Sequence, residues 1–94
     1  MADTSKHLQR FQQFLTGNNL RLTSQRRAIL EAVHKRKSHY TAEELLTHAR
    51  SIDDSVSRAT IYRTLPILQE CDIVREINIG KDFKYYATNR REDN

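Results

Sequence analysis

The chain has no tryptophan, a single cysteine, a single proline and two glycines. It also lacks any apolar stretch approaching the roughly 18 residues that a membrane-spanning helix needs, so no membrane partner is expected. With Cys71 alone, an internal disulfide and a Cys-x-x-Cys zinc knuckle are both excluded. The opening residues Met-Ala-Asp-Thr-Ser-Lys-His contain no apolar core of the kind a secretory signal carries, and a cytoplasmic protein is expected. Catalytic signatures are missing too. There is no glycine-rich phosphate loop, no His-Glu-x-x-His, and no histidine close to Cys71 in the sequence. An enzyme is therefore not expected, and Cys71 reads as a small core residue near a helix end. Hydrophobic residues make up 37% of the 94 residues, enough for a modest core in one domain.

What the chain does have is charge, and the charge is placed unevenly. Residues 21–37 carry Arg21, Arg26, Arg27, Lys35, Arg36 and Lys37 against Glu31 alone. Residues 38–56 carry Glu43, Glu44, Asp53 and Asp54 against Arg50. A basic side on a small domain attracts a polyanion, most often nucleic acid. An ordinary solvated charge run would look the same, so the pattern needs a structural context.

Periodicity supplies that context. Leu8, Phe11 and Leu15 share a helical face and predict a first helix over residues 5–16, with Gly17 as the left-handed residue that ends it. Thr23 or Ser24 caps a second helix over 24–36, whose inner side is Ile29, Leu30 and Val33. Thr41 with Glu44 forms a capping box that opens a third helix over 41–50. Ser57 caps a fourth. Pro66 removes the donor that would bond to the Tyr62 carbonyl, so regular helix is expected through Leu65 with a bend after it. Beyond Asp72 the period changes to two. Residues 73–79 and 83–87 read as strands joined by a short loop, Gly80-Lys81-Asp82. Residues 88–94 are polar and are expected to fray.

Four helices followed by a two-stranded hairpin define an α+β, mostly helical chain with a winged helix-turn-helix architecture. The expected organisation is a winged-helix domain over residues 1–88 and a polar tail over 89–94. In the fourth helix, Ile61, Leu65 and Leu68 form the inner stripe, and Ala59, Tyr62 and Arg63 the outer one. An arginine can bond a guanine edge with two donors, and an aromatic ring can lie against thymine methyls. The outer face, the basic run and the wing lysines Lys81 and Lys84 thus fit base reading, phosphate anchoring and a wing on the backbone of double-stranded DNA. A winged-helix protein-interaction module without specific DNA binding is the alternative, because a fold does not fix a function.

Three stretches add a resemblance. Leu20-Arg21-Leu22-Thr23-Ser24-Gln25-Arg26-Arg27, His39-Tyr40-Thr41-Ala42-Glu43-Glu44-Leu45 and Ser57-Arg58-Ala59-Thr60-Ile61-Tyr62-Arg63-Thr64-Leu65 are, in this order, similar to the motifs of the DNA-binding half of the ferric uptake regulator family. The likeness covers nearly the whole chain. It implies a bacterial metal- or peroxide-responsive transcription regulator, acting as a repressor on an AT-rich inverted-repeat operator. By this resemblance Tyr62 and Arg63 read bases in the major groove, and Arg21 enters the minor groove, where narrow AT-rich sequence favours arginine. Ser57 and Thr60 contact phosphate or sugar. With Arg58 and Lys81 added, these residues make up the expected DNA-contacting set.

The resemblance also implies a regulatory metal (iron, zinc or manganese) and places His39 at a position that ligates it in many members. The metal is expected only with a C-terminal dimerisation domain, which this chain does not include. Where members often carry an acidic ligand shortly after an aromatic, this chain has Tyr85-Tyr86-Ala87. His7 and His48 are isolated in the sequence. No complete metal site is therefore expected in these residues. The resemblance further implies a homodimer for the full-length protein, with these residues alone expected to be monomeric in the absence of DNA; a natural short form and a piece of a longer chain are both open.

Overall fold

The computed structural model describes residues 2–79 and 82–90, with side chains from Lys6 onward. Four helices, α1 (Ala2–Gly17), α2 (Ser24–Lys35), α3 (Ala42–Ile52) and α4 (Arg58–Glu70), precede two strands, β1 (Val74–Ile77) and β2 (Tyr85–Thr88). The strands pair antiparallel, with Val74 opposite Thr88 and Ile77 opposite Tyr85. This is the expected winged helix-turn-helix. The expected Gly80-Lys81-Asp82 loop falls largely outside the described residues, and Lys81 with it.

Helix starts follow the capping chemistry. Thr23 Oγ1 accepts from the Arg26 amide at 3.1 Å, and Ser57 Oγ from the Thr60 amide at 3.1 Å. At α3 both halves of the capping box are present: Thr41 Oγ1 accepts from the Glu44 amide at 3.1 Å, and Glu44 Oε1 from the Thr41 amide at 3.0 Å. Each bond satisfies a donor that the first turn leaves without an intrahelical partner.

The helix ends correct two expectations. Gly17 is the last residue of α1 and does not take a positive φ; Asn19 does, at 59°. The Leu20 amide reaches back to the Leu15 carbonyl at 2.7 Å and the Asn19 amide to the Thr16 carbonyl at 3.1 Å. That is a Schellman closure, and asparagine tolerates its left-handed position. Asp72, at φ 63°, closes α4 in the same way, with the Ile73 amide on the Leu68 carbonyl at 2.9 Å. The second correction is Pro66. Helix α4 does not end at Leu65 but continues through the proline to Glu70. The buried stripe of Ile61, Thr64, Leu65 and Leu68 spans both sides of the proline, so packing holds the helix across the missing donor. Tyr62 and Pro66 are both exposed, which leaves the orphaned carbonyl on the solvent side.

The core draws on every element: Phe11 and Leu15 from α1, Ile29 and Val33 from α2, Leu45 from α3, Ile61 and Leu68 from α4, and Ile73, Val74 and Tyr86 from the wing. Tyr40 is fully buried although it lies in the α2–α3 link. Its backbone pairs with Tyr86, N–H to C=O in both directions at 2.9 and 2.8 Å, along the edge of β2 opposite β1. The residues after β2 are not frayed as far as they are described. The Asn89 amide donates to the Ile73 carbonyl at 2.7 Å, and Arg90 Nη2 donates to the carbonyls of His34 and Arg36.

Cys71 caps the C-terminus of α4 and is 5% exposed. Burial pushes its thiol up to about 11 from the ordinary 9.0. The thiolate is the reactive form, and a rise of this size leaves roughly 100-fold less of it near pH 8. The folded protein should therefore react with a thiol reagent at least about 100-fold more slowly than the denatured chain. Comparable rates for the two would show that Cys71 is open to solvent.

Candidate nucleic-acid interface

The turn between α3 and α4 is fixed by short-range bonds that set the angle of α4. Asp53 Oδ1 accepts from the Ser55 amide at 3.0 Å and from the Ser55 hydroxyl at 2.6 Å. These two bonds hold the Asp53 carboxyl below its usual range. Arg50 Nε donates to the Val56 carbonyl at 2.8 Å, and Val56 is buried beneath the turn. Helix α4 therefore leaves the turn with its apolar stripe against the core and Arg58, Ala59, Tyr62 and Arg63 outward. Tyr62 is 52% exposed.

The five of the expected DNA-contacting residues that lie in α4 or at its cap fall into three groups. Tyr62 and Arg63 share the exposed face of α4. Ser57 and Thr60 sit at its start, but their hydroxyls are engaged within the protein: Thr60 Oγ1 donates to Gln25 Oε1 at 2.9 Å, and the Ser57 and Thr60 oxygens are 2.8 Å apart. With the Thr60 proton on Gln25, the Ser57 hydroxyl donates to Thr60. Arg58 is exposed yet paired. Its Nε and Nη2 donate to the two oxygens of Glu43 at 2.8 and 2.9 Å. The pair holds Glu43 below the ordinary carboxyl range and raises Arg58.

The Gln25–Thr60 bond does more than occupy a hydroxyl. It ties the first turn of α2 to the first turn of α4. The basic run that begins at Arg21 thereby starts beside α4. Arg21 is exposed in the α1–α2 link, and its carbonyl accepts from Arg26 Nη1 at 2.6 Å. The far end of the run is partly neutralised: Lys35 pairs with Glu31 at 3.5 Å and Arg36 with Glu44 at 3.9 Å. On the other flank, a groove of about 630 Å³ separates α4 from the wing, lined by Glu43, Tyr62, Phe83 and Tyr85 among others. Phe83 is 66% exposed and Ile79 55%, both on the wing.

Glu43, Gln25 and Phe83 escape the sequence reading as parts of this face. Glu43 and Gln25 look like solvated residues in the first turns of two helices until the fold brings α2, α3 and α4 together. Phe83 had a signal, an aromatic next to a turn, but a strand pattern absorbs it.

The metal expectation fares differently. His39 is exposed, with its ring edge-on to Tyr85 at 5.7 Å between centroids. Among the described residues, no group of three or more His, Cys, Asp or Glu side chains could hold a metal ion. The donors around His39 therefore do not make up a site for the regulatory metal. His7 is not isolated. It is buried, and its Nδ1 lies 2.9 Å from His34 Nε2. A pair of imidazoles that share a hydrogen bond explains that contact. Among the described residues, no helix is long and apolar enough to cross a membrane.

The fold defines the class first: a helix-turn-helix whose second helix presents a polar, aromatic face beside a β-hairpin wing is a winged-helix domain of the DNA-binding type. The chain belongs to the ferric uptake regulator family, whose sequence model matches residues 17–94. It is 36% identical over 81 residues to the ferric uptake regulation protein of Campylobacter jejuni, covering 84% of this chain and 52% of that protein. Among solved structures, the Helicobacter pylori ferric uptake regulator, described as having three functional metal-binding sites, superposes with a TM-score of 0.82. It is 21% identical, over 96% of this chain and 60% of that one, and so speaks for the fold. The peroxide sensor PerR of Streptococcus pyogenes is 26% identical with a TM-score of 0.67, over 81% of this chain and 52% of that one. The chain spans about half the length of the curated relatives it matches.

Proposed function

We propose that this chain is the DNA-reading module of a metal- or peroxide-responsive transcriptional repressor, with α4 in the major groove of an AT-rich inverted repeat. The observation that carries the reading is the outer face of α4: Tyr62 and Arg63 stand exposed on a helix whose opposite side is locked into the core. Arg63 bonds a guanine edge, Tyr62 packs on bases, and Arg21 reaches the minor groove. Ser57 and Thr60 lie against the backbone at the start of the helix, and Lys81 does so from the wing. The regulatory metal of such a repressor draws at most one ligand, His39, from these residues. Two modules in a homodimer then meet two half-sites.

Fluorescence anisotropy of the domain on an AT-rich inverted repeat and on a scrambled duplex tests this. A single module that neutralises about two to four phosphates has a slope of log K against log salt of roughly −2 to −4. Arg63→Ala should cost about 1–3 kcal/mol and relax the preference at one base. Unchanged discrimination in that variant would remove Arg63 from the reading set. Equal, weak binding of both duplexes by the parent, persisting after fusion to an artificial dimerisation domain, would favour the protein-interaction role. The exposed Phe83 and Ile79 on the wing give that reading its footing.

A further inference from the structure

The Arg58–Glu43 pair crosses the helix-turn-helix. Glu43 lies in the first turn of α3 and Arg58 is the first residue of α4. Their contact is bidentate, with both carboxylate oxygens engaged. Tyr62 follows Arg58 by one turn on the same face and lines the same groove as Glu43. One acid therefore holds one member of the outer face of α4 and shares a groove with another. A negative charge there is out of place on a surface meant for a polyanion unless it has a task. It cannot be explained by the capping box, which uses Glu44. Nor is it a core contact, since the Glu43 side chain is 55% exposed and that of Arg58 59%.

We propose that Glu43 is a positioning residue that sets how tightly α4 holds the DNA backbone, by withholding Arg58 from it. This inference rests on the DNA-reading role proposed above. The physical logic is competitive. A guanidinium offers its paired donors to one planar anion at a time. While Glu43 occupies Nε and Nη2, a phosphate must displace it, and the displaced carboxylate then repels that phosphate. Contacts to the backbone carry no sequence information and supply most non-specific binding. A residue that suppresses one such contact lowers binding to every sequence alike. The effect is therefore read in the strength and salt dependence of binding and not in the choice of sequence.

Glu43→Gln tests this, measured by anisotropy on the inverted repeat and the scrambled duplex across a salt series. One added phosphate contact steepens the slope by about 0.9, which corresponds to roughly 8-fold tighter binding at about 0.1 M salt. Both duplexes should gain by about that factor, because a backbone contact is made on any sequence. Adding Arg58→Ala to Glu43→Gln should abolish the gain and restore the slope. A merely structural role for Glu43 would shift the melting temperature and leave the slope alone. If the parent discriminates between the duplexes but Glu43→Gln leaves the slope and both affinities unchanged, the proposal is overturned while the DNA-reading role stands. Persistence of the gain in the double variant would also overturn it, since the effect would then be the loss of a charge and not the release of Arg58. A parent that does not discriminate at all, even when dimerised, overturns the DNA-reading role and this proposal with it.

Discussion

Phe11→Ala is expected to lower the stability of the domain by about 3–5 kcal/mol, the cost of deleting a buried ring and leaving a cavity. Phe11 is completely buried, on a helix that packs against both α2 and α4. For a domain of this size each kcal/mol shifts the melting temperature by about 4–8 °C, so the midpoint should fall by at least about 12 °C. The matched comparison is Tyr62→Ala. It removes a ring of similar size from the outer face of α4, where 52% of the residue is already in water. Its effect on stability should be within about ±0.5 kcal/mol, as for most surface changes. Thermal denaturation followed by circular dichroism reads both. Similar losses for the two variants would mean that Tyr62 serves the fold, and its case as a reading residue would collapse. The contrast matters because composition alone treats the two rings as equivalent candidates for the core.

The helices were legible because their signals are local. Capping residues Thr23, Thr41 and Ser57 act on amides two or three positions away, and the stripe of Ile61, Leu65 and Leu68 is one helix reading its own period. The places where expectation and structure part are those where a distant segment decides. Pro66 has a strong local rule against it, yet burial on both sides of it outweighs one lost hydrogen bond. Gly17 is the residue a local rule would choose for a left-handed position, but the chain closes α1 two residues later at Asn19, where Leu20 lands back on Leu15. The strands are shorter than the alternating pattern predicts, and the sheet gains an edge from Tyr40, a residue flanked by polar neighbours with no strand pattern around it.

The site divides in the same way. Tyr62 and Arg63 stand out in sequence because the helix that carries them has a clear inside and outside. The partners that govern their neighbours do not stand out. Gln25 meets Thr60 across 35 positions and Glu43 meets Arg58 across 15, and neither spacing carries any periodic signal. The His7–His34 contact spans 27 positions and is invisible for the same reason. Residue types on one helix face can be read from a period; which face meets which is a property of the packed chain.

The buried polar chain from the wing to α2 shows how far such long-range pairing can be pressed into a prediction. Thr88 Oγ1 donates to the Val33 carbonyl at 2.6 Å, and the Tyr40 hydroxyl lies 2.9 Å from the same oxygen. The single Thr88 proton goes to Val33, so Tyr40 must be the donor to Thr88. The two ends of the chain are then unequal. Tyr40→Phe deletes a donor and leaves Thr88 bonded to Val33, at a cost of about 0.5–1.5 kcal/mol. Thr88→Val keeps the shape but strands both the Tyr40 hydroxyl and the Val33 carbonyl, at about 1–3 kcal/mol each. Combining the two should cost less than their sum, because the Tyr40→Phe background has no hydroxyl left to strand. Burial raises the Tyr40 hydroxyl above its ordinary 10.0, although the nearby charges of Arg36, Arg90 and Arg75 oppose the rise. The folded chain thus keeps a proton that the unfolded chain releases. That contribution is complete below pH 10 and is lost as pH rises through the folded value, so Tyr40→Phe should flatten the alkaline fall in stability above pH 10. Urea midpoints for the parent, both single variants and the double, at neutral pH and again above pH 10, test the whole arrangement. Equal costs for the two single variants would reverse the direction of the Tyr40–Thr88 bond.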